Sequence, residues 1–528
     1  MMGRPPREPV GPDVWSTCRA LIPAGSVFAF LAEHREVLFP EAMFADMYPS
    51  SDGRPSVPPG ELACAVVLQT LHGLSDIETV QEMRCDLRWK AACGLGLHDM
   101  AFHSSLLAYF RRRLARSRRP DRIFDAVREV VAATGVLKGR HRRALDSAVL
   151  DDAVATQDTV TQLIAAVRRV IREVPGADTV AAACCRAHDY ADPGKPKIAW
   201  NDEQARSMLV DALVTDALRL LGHLPEQNLG PKAADAVGIL ALVAGQDVEP
   251  ADGSDGTDGR WRIARRTAPD RVVSTVDPEA RHIHKTRSHH QDGFKAHLAI
   301  EPETGLITAV TLRPAGGSEH HEATVAPELL AEETSLLQIL ADSAYSSADL
   351  RARLTAAGHR LFIKPGPLKT AVPGGFTLDD FRIDTAAGTV TCPAGHTTDL
   401  TAPAGQHQQR KAVFTAEQCT GCPLRSRCST AKSGRIVTLR PHHDQQAAAR
   451  HQAATDPDWQ ATYRRWRPPV ERVIAWLVAR GNRRLPCHGS INGERWIHHR
   501  AAALNLRRLI NLGLDHRHGT WTIIPNTS

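Results

Sequence analysis

The chain has 528 residues, 42% of them hydrophobic, and a formal charge of +6 from 65 basic and 59 acidic side chains. That length holds two to four cored units, and the composition excludes a disordered or fibrous chain. The modest positive balance suits a polyanionic partner without specifying one, because net charge bears on association and not on fold.

The opening Met1-Met2-Gly3-Arg4-Pro5-Pro6 lacks the apolar core of a secretory signal, and no apolar run approaches a bilayer-spanning length. A cytoplasmic, nucleoid-associated protein is therefore expected, in a reducing compartment where clustered cysteines bind metal more often than they pair.

Residues 58–118 read as helices. Pro58-Pro59 precede an apolar series through Leu62, Val66, Leu68 and Leu71, and Gly73 breaks it. Ser75 with Glu78 three residues on forms a capping-box pattern, opening a helix from Asp76 to about Cys93. His103 or Ser104 caps a further helix whose apolar face is Leu106, Leu107, Phe110 and Leu114. Its other face carries Arg111, Arg112, Arg113 and Arg116. Helix, glycine-bearing turn and basic helix is the outline of a helix-turn-helix, so these arginines are candidate DNA contacts. Any single basic run reads more simply as a solvated helix face. Four runs, at 111–119, 138–143, 464–472 and 507–508, favour phosphate contacts.

Leu145 to Leu150 reads as a short strand. Residues 152–245 are mostly helical, with Leu163, Val167, Val170 and Ile171 at helical spacing, and the run from Ala251 to Arg260 is a linker. His282, His284, His289 and His290 cluster as if to bind metal, but Lys285 and Arg287 among them favour a DNA-facing loop. Gly293–Ile300 and Leu306–Leu312 alternate across a turn at 301–305 and form a hairpin. A helix from about His320 to Glu333, a buried strand ending at Ala341-Asp342, a helix over Ser347–Ala357 and a strand over Arg360–Lys364 follow. Strands alternating with helices imply an α/β mixed sheet with at least one helical crossover.

Three acids stand out. Asp342 ends an apolar strand, at the sheet edge where ligands bind in open α/β folds. Asp146 lies inside an apolar strand, where a carboxylate is costly unless paired or metal-bound. Asp151 and Asp152 are rivals for its role. Glu471 follows Pro468-Pro469 on a helix whose apolar face is Val470, Val473, Ile474, Leu477 and Val478. Arg467, one turn earlier, offers it a plain ion pair. A few carboxylates with two Mg2+ ions suffice for phosphodiester chemistry, because the ions activate the attacking oxygen and stabilise the leaving one.

In this pattern the chain resembles the DDE transposases of bacterial insertion sequences. The likeness lies in Leu145-Asp146-Ser147, Asp292-Gly293-Phe294-Lys295-Ala296-His297, Ala341-Asp342-Ser343-Ala344-Tyr345, Arg467-Pro468-Pro469-Val470-Glu471 and Asn505-Leu506-Arg507-Arg508. Leu74-Ser75-Asp76-Ile77-Glu78 and Phe110-Arg111-Arg112-Arg113-Leu114 resemble the helical DNA-binding domain before that core, so the likeness runs in blocks over about 55–515. It implies a ribonuclease-H-like core with a helical insertion, preceded by an all-α helix-turn-helix-like domain. It selects Asp146, with Asp342 and Glu471, as catalytic ligands of Mg2+ or Mn2+. It implies end cleavage, joining of 3′ ends to target DNA, and double-stranded DNA contacts that include Lys295, Arg467, Arg507 and Arg508. Paired ends imply a homodimer or larger synaptic assembly. Ala148 departs from the family's usual Thr. Arg464 and Val478 stand where some relatives have Tyr and Lys.

Between the second and third acids lie Cys392, Cys419, Cys422 and Cys428, with His396 as a substitute ligand. A C-x-x-C plus two further cysteines suits structural Zn2+, which would stabilise a segment with little apolar material of its own. The expected units are 1–135 (DNA binding), 140–365 (core, with an insertion at about 152–260), 366–455 (cysteine-rich insertion) and 456–515 (closing core helices). A catalytically silent DNA-binding regulator or relic is the alternative function, and a structure-selective nuclease a third.

Overall fold

The computed structural model describes residues 2–3, 10–50, 53, 55–224, 228–255, 258–264, 268, 270–286 and 289–524, with the side chains of 284–286 and 289–290 outside that description. Its central sheet has six strands: β1 (Arg142–Asp151), β2 (Arg281–Thr286), β3 (His289–Glu301), β4 (Leu306–Pro314), β5 (Gln338–Ala341) and β6 (Arg360–Ile363). β3 and β4 form the expected hairpin. β1 runs antiparallel to β3 on one side and parallel to β5 on the other, and β6 continues parallel beyond β5. A curled mixed sheet of this kind is compatible with a ribonuclease-H-like core. β2 was not foreseen. It pairs with the N-terminal part of β3, and its Arg-His-Ile-His-Lys-Thr sequence has no apolar alternation to announce a strand.

Helices flank the sheet. In the N-terminal block, α1 (Pro59–His72) is almost wholly buried, and Gly73 ends it at φ 70. A Cβ on Gly73 would lie 2.1 Å from the Arg480 carbonyl oxygen, so both the left-handed turn and the close approach require glycine. The Ser75–Glu78 capping box is formed. The helix it opens does not reach Cys93: α2 (Asp76–Cys85) stops at Asp86, whose carboxylate accepts from Arg88 N–H and caps a separate α3 (Leu87–Cys93). α4 (Ser105–Arg116) buries Leu107, Phe110 and Leu114, as its spacing predicts.

One apolar core runs from Val14 through this helical block to the central sheet and on to Leu514, so the N-terminal helices have no separate core. The segment after β1 does have one: helices Thr159–Glu173, Glu203–His223 and Pro231–Gln246 pack on each other through Leu163, Val167, Leu213, Leu240 and Val243. The cysteine-bearing segment also differs from expectation. Phe381, Val390, Ala412, Phe414, Val437 and Leu439 give it a small apolar centre, so its folding does not depend on a metal alone. Among the described residues, no helix is long and apolar enough to cross a membrane.

α5 (Glu322–Leu329) and α6 (Ala348–Ala356) cover one face of the sheet around Leu145, Ile339 and Ile363. α7 (Pro457–Trp466) docks on β6 through the Trp459 indole, which donates to the Leu361 carbonyl at 3.1 Å. It turns at Arg467 into α8 (Pro468–Val478), whose Val470, Val473 and Leu477 are buried. α9 (Ser490–Asn511) lies along β4, where Gly493 sits so close that a Cβ would meet Leu312 at 2.3 Å.

Candidate active site

Register brings two of the acids together. Ala144 pairs with Leu340 between parallel strands, so Asp146 and Asp342 each stand two residues beyond that pair, side by side at the sheet's edge. One Asp146 oxygen accepts from the Ser147 amide at 2.8 Å, and the other accepts from Arg467 Nη2 at 2.8 Å. The Asp342 carboxylate caps the short turn after β5 by accepting from the Ala344 amide at 2.9 Å. Burial raises the Asp146 carboxyl above the usual aspartate range. Arg467 opposes that shift, and the neighbouring Asp342 adds to it.

Glu471 joins through the same arginine. Arg467 Nη1 lies 3.6 Å from Glu471 Oε1, one turn along the helix. The arginine is buried whereas the Glu471 side chain is 70% exposed, so the third acid stands at the rim and not inside the site. Both readings of this pair hold at once: Glu471 is an ion-pair partner, and its partner also holds Asp146. Tyr463, on α7, marks the shared space. Burial raises its phenol, and Asp342, Asp146 and Glu471 all push it further up against the opposing pull of Arg467. Nothing in its spacing announced this tyrosine, because it falls one residue short of the register in which relatives carry theirs.

Beneath the acids lies a buried polar group that sequence reasoning also missed. Glu322 accepts from Ser147 Oγ and from Lys295 Nζ, each at 2.9 Å. Lys295 and Glu322 are both buried, and the pairing holds the Glu322 carboxyl down at about 2 against its own desolvation. Lys295, expected at the DNA surface, is therefore part of the floor. Tyr345 is also buried here, its phenol pushed well up by burial and then by Asp146, Glu322 and Asp342.

The basic runs divide by exposure. Arg140 and Arg142 pair with Glu303, and Arg143 with Glu333, so the run before Asp146 is largely spent on ion pairs. Arg111 pairs with Asp76 at 2.6 Å, and Arg113 lies over the Tyr48 and Tyr109 rings. Arg112 and Arg116, one turn apart on α4, remain exposed, as do Arg464, Arg465 and Arg472. Arg507 lies over the Trp476 ring, and Arg508 donates to the Thr304 carbonyl. Of the histidine cluster, His282 lies 2.6 Å from the Asp292 carboxylate. The side chains of His284, Lys285, His289 and His290, and all of Arg287, are outside the described residues.

Cys392, Cys419, Cys422 and Cys428 line one cavity of about 30 Å3, with His396 at its edge. Burial raises the Cys428 thiol, Arg435 opposes the shift, and the other three cysteines add to it. No three of these sulfurs lie within 4.8 Å of one another. Among the described residues, the ligand atoms that converge to within 4.8 Å of one another are those of Asp152, Asp277 and His488, which form neither this set nor the three acids.

A family model described as a transposase DDE domain matches residues 391–510, a span with the cysteines and Glu471. A second, described as a transposase domain (DUF772), matches residues 16–113, the helical block that carries the arginine helix. No curated protein and no solved structure matches the chain. The two matched segments lie in the order the sequence motifs predict, one on each side of the strand-borne acids, and together they support an insertion-sequence DDE transposase.

Proposed function

We propose that Asp146, Asp342 and Glu471 are the catalytic carboxylates of this transposase and that they hold Mg2+ or Mn2+ as a pair of ions. The observation that carries the reading is the placement of Arg467 between Asp146 and Glu471, with Asp342 level with Asp146 on the adjacent strand. Two like carboxylates side by side in a partly buried setting are unfavourable alone and fit a divalent cation. When bound, the ions supply Lewis-acid stabilisation of the attacking and leaving oxygens. Closing the site requires Glu471 to move inward from the rim, which its exposure permits.

The chain's own residues do the positioning. Arg467 pairs with Asp146, opposes the upward pull of burial on its carboxyl and aims it. The Ser147–Glu322–Lys295 group fixes the strand that carries Asp146. Arg112 and Arg116 on α4, with Arg464, Arg465 and Arg472, offer the exposed charge for DNA phosphates. The reaction is hydrolysis at an element end, in which a water oxygen bonds to phosphorus as the bond to the 3′ oxygen breaks; the freed 3′ hydroxyl then bonds to a phosphorus of target DNA as that phosphorus releases the target strand's own 3′ oxygen as a hydroxyl. The four cysteines serve as a structural Zn2+ site, because their shared cavity gathers four soft ligands in one segment. Paired ends call for at least a homodimer.

Asp146→Asn, Asp342→Asn and Glu471→Gln should each abolish metal-dependent end cleavage and strand transfer while end binding stays near wild type. Normal strand transfer by the Asp342 variant would overturn the assignment. A silent regulator would instead bind ends without cleavage in the wild-type chain.

A further inference from the structure

Beyond the catalytic acids and the cysteines, a third group of ligand-type side chains meets at the far end of β1. Asp152 follows the last residue of that strand, where the chain leaves the sheet for the helical insertion. Asp277 lies where the chain returns from the insertion. His488 immediately precedes Gly489, the N-cap residue of α9. Their ligand atoms all lie within 4.8 Å of one another. A point within about 2.8 Å of all three therefore exists, close to the roughly 2.0–2.2 Å of zinc–oxygen and zinc–nitrogen bonds.

Two acids near each other do not make a site. The informative atom is the second oxygen of Asp152. The residue is only 5% exposed, and Asp277 only 1%. Asp152 Oδ1 accepts from the Ala153 amide at 2.6 Å, but Oδ2 is buried and no group donates to it among the described residues. A buried carboxylate oxygen without a donor is costly. Asp277 does not relieve it, since Asp277 Oδ2 accepts from the Gly489 amide at 2.6 Å and brings a second negative charge. Burial and that charge push the Asp152 carboxyl up to about 6.

The surrounding backbone is built tightly enough to hold such a cluster. Asp151 bonds through its backbone to two residues of the loop before α9, donating its N–H to the Arg483 carbonyl at 2.8 Å and accepting from the Leu485 N–H at 3.0 Å. The Asp152 amide donates to the Asp292 carbonyl at 3.2 Å. Gly293, at φ 148, is pressed against this turn: a Cβ there would lie 2.7 Å from the Asp152 nitrogen. The two aspartates are thus fixed, and the exposed His488 is the adjustable ligand.

We propose that Asp152, Asp277 and His488 bind a structural divalent ion of the zinc class, distinct from the catalytic ions and from the cysteine site. Two carboxylates and one imidazole suit Zn2+ better than Mg2+, which prefers oxygen ligands alone. The ion ties both ends of the helical insertion to the start of α9, just past the C-terminal end of β1 and six residues along the chain from the mid-strand Asp146.

The test uses the full-length chain dialysed against Co2+ with Mg2+ in excess, followed by elemental analysis and absorption spectra. Thiolate-bound Co2+ has an intense near-ultraviolet charge-transfer band, which a carboxylate–imidazole site lacks. His488→Ala, at an exposed position, should bind one equivalent fewer per chain than wild type while keeping that band. Asp277→Asn should lose the same equivalent. In wild type, added Zn2+ should raise the unfolding temperature by more than in His488→Ala. Equal Co2+ stoichiometry in wild type and His488→Ala would overturn the proposal. A wild-type chain lacking the thiolate band but losing one equivalent on His488→Ala would sink the cysteine site alone.

Discussion

Replacing Arg467 tests whether one guanidinium both balances Asp146 and holds the site together. The pair is mostly buried, with side-chain exposures of 7% for Arg467 and 13% for Asp146. With charge centres about 4 Å apart and an effective dielectric of about 20, the attraction is about 4 kcal/mol. Desolvation of the two ions takes back a similar amount, so the net contribution of the intact pair is small. Removing only one partner is different. Arg467→Ala leaves Asp146 buried and unpaired, at a cost of about 3–5 kcal/mol. In an Asp146→Asn background the same substitution leaves no stranded carboxylate and should cost about 1–2 kcal/mol, the value of the lost hydrogen bonds. The coupling is then about 2–3 kcal/mol. Hydrogen–deuterium exchange of peptides from β1 and α8 reads it locally.

The sign with pH follows from the raised Asp146 carboxyl. The native state holds its proton to higher pH than the unfolded state, so its contribution to stability falls as pH rises through that window. Loss of Arg467 raises the carboxyl further, so the deficit of Arg467→Ala should be larger at pH 8 than at pH 5. Additive single and double variants, or a deficit independent of pH, would refute the account.

Other expectations are equally specific. Lys295→Met should strand Glu322 in the floor of the site, costing about 3–5 kcal/mol by the same exchange measurement, with Lys295→Met/Glu322→Leu recovering part of it. The buried His499 has its imidazole held down at about 4 by burial. Its folded value lies below the unfolded one of about 6.5, so stability is present above that pH and is lost as pH falls towards 4, by up to about 3 kcal/mol. Acid titration of unfolding should therefore be shallower in His499→Asn. Chelation of Zn2+, or Cys419→Ser with Cys422→Ser, should increase proteolysis within 391–430 while the central sheet keeps its exchange protection. Gly73→Ala combines a positive φ with an approach of 2.1 Å to a backbone oxygen and should cost more than about 1 kcal/mol, read as a lower unfolding temperature.

How much of this was legible in sequence depended on the range of the interaction. Local signals were enough for α1 and its Gly73 stop, for the Ser75–Glu78 cap, for the β3–β4 hairpin and for the buried strand that ends at Asp342. Each is specified by periodicity or turn chemistry within about ten residues. The helix expected to run to Cys93 broke at Asp86 because a side chain capping its own backbone outweighed helical periodicity. The four cysteines were visible as ligand types at suggestive spacing, and their common cavity is a property of the folded segment.

Tertiary structure decided the rest. The register of parallel β1 and β5 places Asp146 beside Asp342, and no one-dimensional pattern encodes a pairing across nearly 200 residues. Which basic residues are free was also undecidable from composition. Arg143 and Lys295 look like the exposed Arg112 and Arg116 until Glu333 and Glu322 are brought against them. Asp152, Asp277 and His488 are separated by an entire helical insertion and by most of the core. The sequence by itself determined residue types and local backbone preferences. Long-range packing alone determined which charges share a low-dielectric space, and there the energy of a carboxylate depends on its neighbours more than on its own chemistry.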